Sequence, residues 1–468
     1  MARKVELSQE ALSALGTEKL AALILSEAEV NPAFAKRIKA ALVAGEGVAA
    51  VAALIDRRLA SLERARSMVD REKEREFAAD LETIIDTIVD ELGARSPEIA
   101  VQRMLRFIDN HGRVFERIDD SGGSIQSVYW RGAGLIPSLV EKLPVAERAW
   151  LPERLSGSLA KDTHGLARDI SASIVPLLPA DALVAWDEAL GVDQSADSVA
   201  IDVRQAIADA RGDVDGYLRL ESQKSAWRQN PLAVAERLRA AGRLEEALAW
   251  ARRDKNGGLA VATEEDIADG RIRSLHDLEK VTLEARILEE MGEVDAAQAL
   301  RWAAFETSLN ADLLREYLRK IEDFSEYDEQ ERAFGVAMAS PHIYAALRLF
   351  LAWPKLDRAA KLVLAKRDLW NGMNYGLLPG AAAELEHEFP AAATILYRAL
   401  LDSILTRAKS QAYRHGAAYL ARLTAMGARL PADSGIETHE LYLEGLKKTH
   451  ARKTGFWTLA AGALRHSA

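Results

Sequence analysis

PLAVAERLRAAGRLEEALAWARR, from Pro231 to Arg253, is the stretch on which the reading of the fold turns, because a second stretch echoes it: VTLEARILEEMGEVDAAQALRWAA, from Val281 to Ala304. With Gly242 placed over Gly292, Ala235 falls on Ala285, Leu238 on Leu288, Ala247 on Ala297 and Ala249 on Ala299. Each copy is an amphipathic run, a glycine that lets the chain turn, and a second amphipathic run with a small residue where two helices would touch. A helical hairpin of this kind cannot bury its apolar stripe alone, so successive copies are expected to stack as a TPR-like α-solenoid. Pro341 to Arg367 reads as a degenerate third copy, with Trp353-Pro354 in place of the turn glycine and Ala359 at the position of Ala247. A fourth begins near Gly380 and turns at Phe389-Pro390.

Outward from these repeats the punctuation stays helical. Ser8, Gly16-Thr17 and Asn31-Pro32 predict three short helices between Leu7 and Gly45, and longer apolar-periodic runs follow, one through Val51, Ile55 and Leu59, another from Glu72 to Leu92. Ser96-Pro97-Glu98 opens the next helix, and Arg117 to Gly123, RIDDSGG, reads as a loop capping the one after it. The fold expected is all-α. An N-terminal helical region with a long hairpin covers residues 1–95, a middle helical region 96–211, and the solenoid with its C-terminal capping helix 212–468. The glycine-rich, acidic run from Asn256 to Gly270 is the expected internal linker.

Composition bounds the function. A chain of 468 residues that is 49% hydrophobic, with only 13 Pro and 29 Gly, has ample material for a helical core. A net charge of −10 argues against wholesale binding to nucleic acid or an anionic membrane. The absence of cysteine excludes disulfides, thiolate chemistry and Cys-ligated metals, and fits a cytoplasmic protein. Glu6 and Glu10 interrupt any signal-peptide core. The longest uncharged run, Ala333 to Leu347, contains Pro341 and falls short of the roughly 20 apolar residues a spanning helix needs.

Several motifs together resemble a known family. The segments Arg66-Ser67-Met68-Val69, Asp80-Leu81-Glu82, Arg106-Phe107-Ile108, Arg117 to Gly123, ARGDVDGYL (Ala210 to Leu218), FPAAATILYRALLDSIL (Phe389 to Leu405) and HELYLEGLKKTHARKTGFW (His439 to Trp457) are similar to a bacterial, mainly α-proteobacterial, family of helical proteins catalogued as a domain of unknown function. Related C-terminal segments occur in proteins with SWIM-type zinc fingers, whose cysteines this chain lacks. The resemblance implies an all-helical fold with a repeat-like C-terminal half, and supplies no catalytic residue.

Two clusters are candidates for chemistry. Arg106 followed by His111 resembles the motif of HEPN-type ribonucleases, in which the histidine moves a proton and the arginine stabilises charge on the scissile phosphate; Phe107 departs from the polar residue usual after that arginine. The bland reading makes Arg106 a surface residue and His111 the C-terminus of a helix that Gly112 ends. The second cluster is Lys447, Lys448, His450, Arg452 and Lys453, with Phe456 and Trp457 behind it, which suits phosphates and stacked bases. Its bland reading is the wet face of a capping helix whose Leu443, Leu446, Trp457 and Leu459 dock on the repeats. No metal-binding, Walker or nucleophile-elbow motif is present, so no cofactor is expected. The function expected is a non-catalytic scaffold that captures an unknown protein or peptide, with RNA binding or HEPN-like cleavage as the alternative; nothing in the sequence specifies the oligomeric state.

Overall fold

Local caps start the first helices. In the computed structural model, which describes residues 8–191, 198–254, 276–321, 325–430 and 434–466, Ser8 Oγ accepts from the Ala11 amide at 3.2 Å to open α1 (Gln9–Ser13). Helix α2 (Thr17–Val30) follows Gly16, and Asn31 Oδ1 accepts from Phe34 N at 3.1 Å to open α3 (Pro32–Ala44), with Pro32 in the first turn where its missing N–H costs nothing. These are the three short helices the punctuation predicts. Next come α4 (Val48–Arg64) and α5 (Glu74–Thr87), the latter closing in a π turn over Ile88–Leu92. A Cβ on Gly93 would sit 2.4 Å from the Val89 carbonyl oxygen, so the widened turn requires glycine there.

Helix α6 (Pro97–Ile108), the one-turn α7 (His111–Phe115) and α8 (Ser124–Val140) complete the N-terminal core. Ile55, Leu59, Ile85, Met104, Phe107 and Tyr129 are fully buried within it. The RIDDSGG loop caps α8 as expected: the Asp120 carboxylate accepts from the amides of Ile125 (3.0 Å) and Gln126 (2.7 Å). Helices α9 (Leu151–Leu159), α10 (Leu166–Ile174), α11 (Ala180–Leu190), α12 (Val199–Ala210) and α13 (Val214–Gln223) follow, and the chain divides into compact units at Met1–Gln229 and Asn230–Ala468.

The second unit holds α14 (Pro231–Ala240), α15 (Leu244–Ala251), α16 (His276–Glu290), α17 (Val294–Ser308), α18 (Ala311–Leu318), α19 (Glu326–Ala339), α20 (Ile343–Ala352), α21 (Leu356–Ala365), α22 (Leu378–Leu385), α23 (Pro390–Thr406), α24 (Tyr413–Gly427), α25 (His439–His450) and α26 (Thr454–His466). The linker expected over Asn256–Gly270 lies outside the described residues. Both aligned glycines turn in the left-handed region, Gly242 at φ 75° and Gly292 at φ 85°, and the next amide closes the turn, Arg243 N to Leu238 O at 2.9 Å and Glu293 N to Leu288 O at 2.8 Å. That bond is the six-to-one closure of a glycine-ended helix. Gly212, between α12 and α13, does the same at φ 67° with Asp213 N to Ala208 O at 2.9 Å. The degenerate copy keeps the bond without the glycine: Pro354 stands at φ 23° and Lys355 N donates to Phe350 O at 2.8 Å. Ala247, Ala297 and Ala359 are each fully buried one turn into the returning helix. Among the described residues there is no strand, only an isolated bridge between Val69 and Ile118. The protein is all-helical, as expected.

Candidate functional site

Arg106 and His111 are brought to one cleft, of about 870 Å³, between the α6–α7 corner and α9. Trp150, Arg154, Arg113 and Lys161 line it as well. Asp56 and Glu63 lie two turns apart on one face of α4, which aims both carboxylates at α6. Arg106 takes both: Nε and Nη2 reach the two Glu63 oxygens at 2.8 and 2.9 Å, and Nη1 reaches Asp56 Oδ1 at 3.0 Å. The bidentate bond from Arg106 holds the Glu63 carboxyl below its ordinary range, and the same bond pushes the guanidinium further up.

His111 is 6% exposed and opens a helix instead of ending one, so it does not stand at the helix C-terminus of the bland reading. Helix α6 ends at Ile108, Asn110 Nδ2 donates back to the Arg106 carbonyl at 2.9 Å, and His111 begins α7, with Gly112 inside that helix rather than ending a turn. Its Nδ1 lies 2.9 Å from the Ile108 carbonyl, an acceptor only, so Nδ1 carries the proton. The ring packs edge-on against Phe115, Tyr129 and His164, and Nε2 is enclosed with no partner among the described residues. Phe107, the departure from the ribonuclease pattern, stacks on Tyr129 at 4.7 Å, and burial drives the Tyr129 phenol strongly upward. Chemically, a proton-transfer histidine needs a ring nitrogen within reach of substrate and a charge-stabilising arginine needs an unspent charge. In this arrangement Arg106 is taken up by the two carboxylates that tie α6 to α4, and His111 spends Nδ1 on the α6–α7 corner while Nε2 stays enclosed. On the rest of the cleft, Arg154 is spent on Asp109 at 2.5 Å, with Ser158 accepting from Arg154 and donating to Asp109.

The C-terminal cluster divides by burial. Lys447, Lys448 and Arg452 are exposed, while His450 and Lys453 are half-buried. Phe456 is fully buried, edge-on to Tyr413 at 5.9 Å and against Gly416, so it presents no face to a base. Trp457 Nε1 donates to the His450 carbonyl at 3.0 Å. Leu446 is buried and Leu443 packs against the core, but Leu459 is 43% exposed; Phe456 and Ala460 fill the role expected of it. Of the neighbouring basic residues, Lys409 lies over the Tyr375 ring at 4.7 Å, while Arg407, Arg414 and His415 are exposed.

The family model for DUF6880, a family of unknown function, matches residues 2–200 and 191–459. The chain belongs to this family. No protein of curated function matches it. Among the described residues of this DUF6880 member, no helix is long and apolar enough to cross a membrane, and no group of three or more His, Asp or Glu is placed to hold a metal ion.

One cluster in this DUF6880 member escaped the reading of its sequence. Glu221, fully buried on α13, accepts from Gln205 Nε2 at 2.7 Å and pairs with Lys224 at 3.2 Å; Lys224 and Arg228 both reach Asp202 on α12, at 3.1 and 2.7 Å. The close spacing of Glu221, Lys224 and Arg228 was the available signal, but α13 ends at Gln223, before both cations, and an acidic residue in a helix ordinarily reads as solvated. The network clamps α12 to the segment after α13.

Proposed function

We propose that this DUF6880 member is a non-catalytic bacterial scaffold of the cytoplasm, in which residues 212–468 form a TPR-like α-solenoid that captures a protein or peptide. The observation that carries this is the recurrence of one turn: the same closing hydrogen bond at Gly212, Gly242, Gly292 and Pro354, with a fully buried alanine following the last three. Hairpins built on a common turn stack through equivalent faces, and such stacks present an extended surface on which exposed side chains set specificity. A helix pair at Leu378–Leu385 and Pro390–Thr406 adds a further unit, turning at Phe389-Pro390. The arrangement around Arg106 and His111 supports a structural role for both better than a catalytic one.

Affinity purification of the tagged full-length chain from its native cell tests the scaffold, with one or two stoichiometric proteins expected and none refuting it. RNA is the opposing outcome. Binding through Lys447, Lys448, Arg452 and Lys453 would release counterions, so its affinity would fall with log salt by roughly −0.7 per phosphate contacted on a single strand. No measurable RNA affinity is expected at physiological salt. A micromolar complex that vanishes when those four residues become alanine would overturn the scaffold, as would RNA cleavage lost in His111→Ala.

A further inference from the structure

Helix α2 has no buried residue among its fourteen. It nevertheless carries Leu23 at 54%, Leu25 at 64% and Val30 at 77% exposure, and the neighbouring Leu12 and Leu15 are exposed beside it. A helix of this length is marginal in water unless an apolar face is packed, and Leu23 and Val30, which share one face of α2, are left without that packing. The charges on α2 say what covers it. Lys19, Leu23, Glu27 and Val30 fall within an arc of roughly 80°, each residue advancing about 100° around the axis. Lys19 has no carboxylate partner among the described residues, and Glu27 accepts only from the Asn31 side chain at 3.0 Å.

We propose that α2 is the seam of an antiparallel homodimer, with the two-fold axis at Leu23. A two-fold there sets Leu23 against Leu23 of a second copy, and because Lys19 and Glu27 stand one turn either side of it, each meets its opposite charge in the other copy, twice per dimer. The same operation lays Val30 on the Gly16 turn of the second copy, beside Leu15 and Leu12. An isologous contact requires a surface complementary to itself, and this charge pattern, reversed about its own centre, is such a surface. Charges flanking an apolar helix seam fix the direction of pairing, and here they select the antiparallel one. Leu25 lies roughly 160° from Leu23 around the helix and stays outside the contact. This inference is independent of what the repeats capture.

Sedimentation of the full chain at roughly 100 µM, a concentration that populates any dimer of micromolar Kd, is the test. The wild-type chain is expected as a dimer, Leu23→Lys as a monomer, and Leu25→Lys as a dimer. Lys19→Glu and Glu27→Lys alone should each raise the dissociation constant about tenfold or more, because each sets like charges opposite at two places. The double reversal should restore it. Each single reversal suits its own end of the helix, with an acid near the N-terminus or a base near the C-terminus, so a loss of dimer cannot be laid to a melted helix. A monomeric wild type, a dimer indifferent to Leu23→Lys, or single reversals without effect would each overturn the proposal.

Discussion

Replacing Gly242 or Gly292 by alanine isolates the cost of the repeated turn. At both positions an added Cβ would meet no atom within 4 Å, so the substitution tests backbone conformation and not packing. At φ 75° and 85° an L-residue with a side chain sits in the left-handed region, a cost of about 1–2 kcal/mol. The stiffer unfolded chain of the alanine variant returns about 0.4–1 kcal/mol, leaving a net loss of roughly 1 kcal/mol per site. Neither new methyl touches a neighbour, so the double variant should lose about 2 kcal/mol. Asparagine, which enters this region more readily, should recover a good part of each loss. Gly335 supplies a control of opposite sign: it lies inside α19 with equally open space around its missing Cβ, and Gly335→Ala should gain up to about 1 kcal/mol from helix propensity. Urea unfolding followed by far-UV circular dichroism measures all of these as shifts in midpoint at constant slope. Alanine neutral at 242 and 292, or destabilising equally at 335, would refute the reasoning.

Two further outcomes follow from buried groups. Ala297→Phe should overpack the start of α17, where Ala297 is fully enclosed, and cost roughly 1–3 kcal/mol; an unchanged melting temperature would count against the alignment of the repeats. His439 is buried at the start of α25 with Nε2 3.0 Å from Thr424 Oγ1, and burial lowers its pKa below the ordinary 6.5. The folded state therefore resists the proton that the unfolded chain accepts, so stability is complete above about pH 6.5 and falls as pH drops from there through the depressed folded value. An imidazole titration by NMR should place His439 below 6.5, and a value at or above it would remove the effect.

What could be read in the sequence was what a few neighbouring residues decide among themselves. The Asn31 side chain caps α3 by accepting from the backbone amide three residues on, the Asp120 carboxylate caps α8 from five and six residues away, and the turn glycines need only their adjoining helices. The corner at His111 was different. Asp109, just before it, bonds Arg154 and Ser158 on α9, and Arg106 pairs with Asp56 and Glu63 on α4, so the end of α6 is settled by partners more than forty residues away that no local pattern names. The tail shows the same limit at finer scale: periodicity put an apolar stripe on α26 but chose Leu459 over Phe456, because the cavity beside Gly416 that admits a ring is made by α23 and α24. The placement of Arg106 and His111 in one cleft was legible, but their engagement there was not.

The closing bond of the repeated turn also bears on how the chain reaches its structure. In the second unit α14 packs on α15, α15 on α16, α16 on α17, α20 on α21 and α23 on α24, and the principal contacts join each helix to the next or the next but one. Contacts so near in sequence demand little loop-closure entropy before they repay it, which is the condition for rapid folding at a given stability. A helix pair joined by a short turn can therefore form early, from contacts close together in the chain.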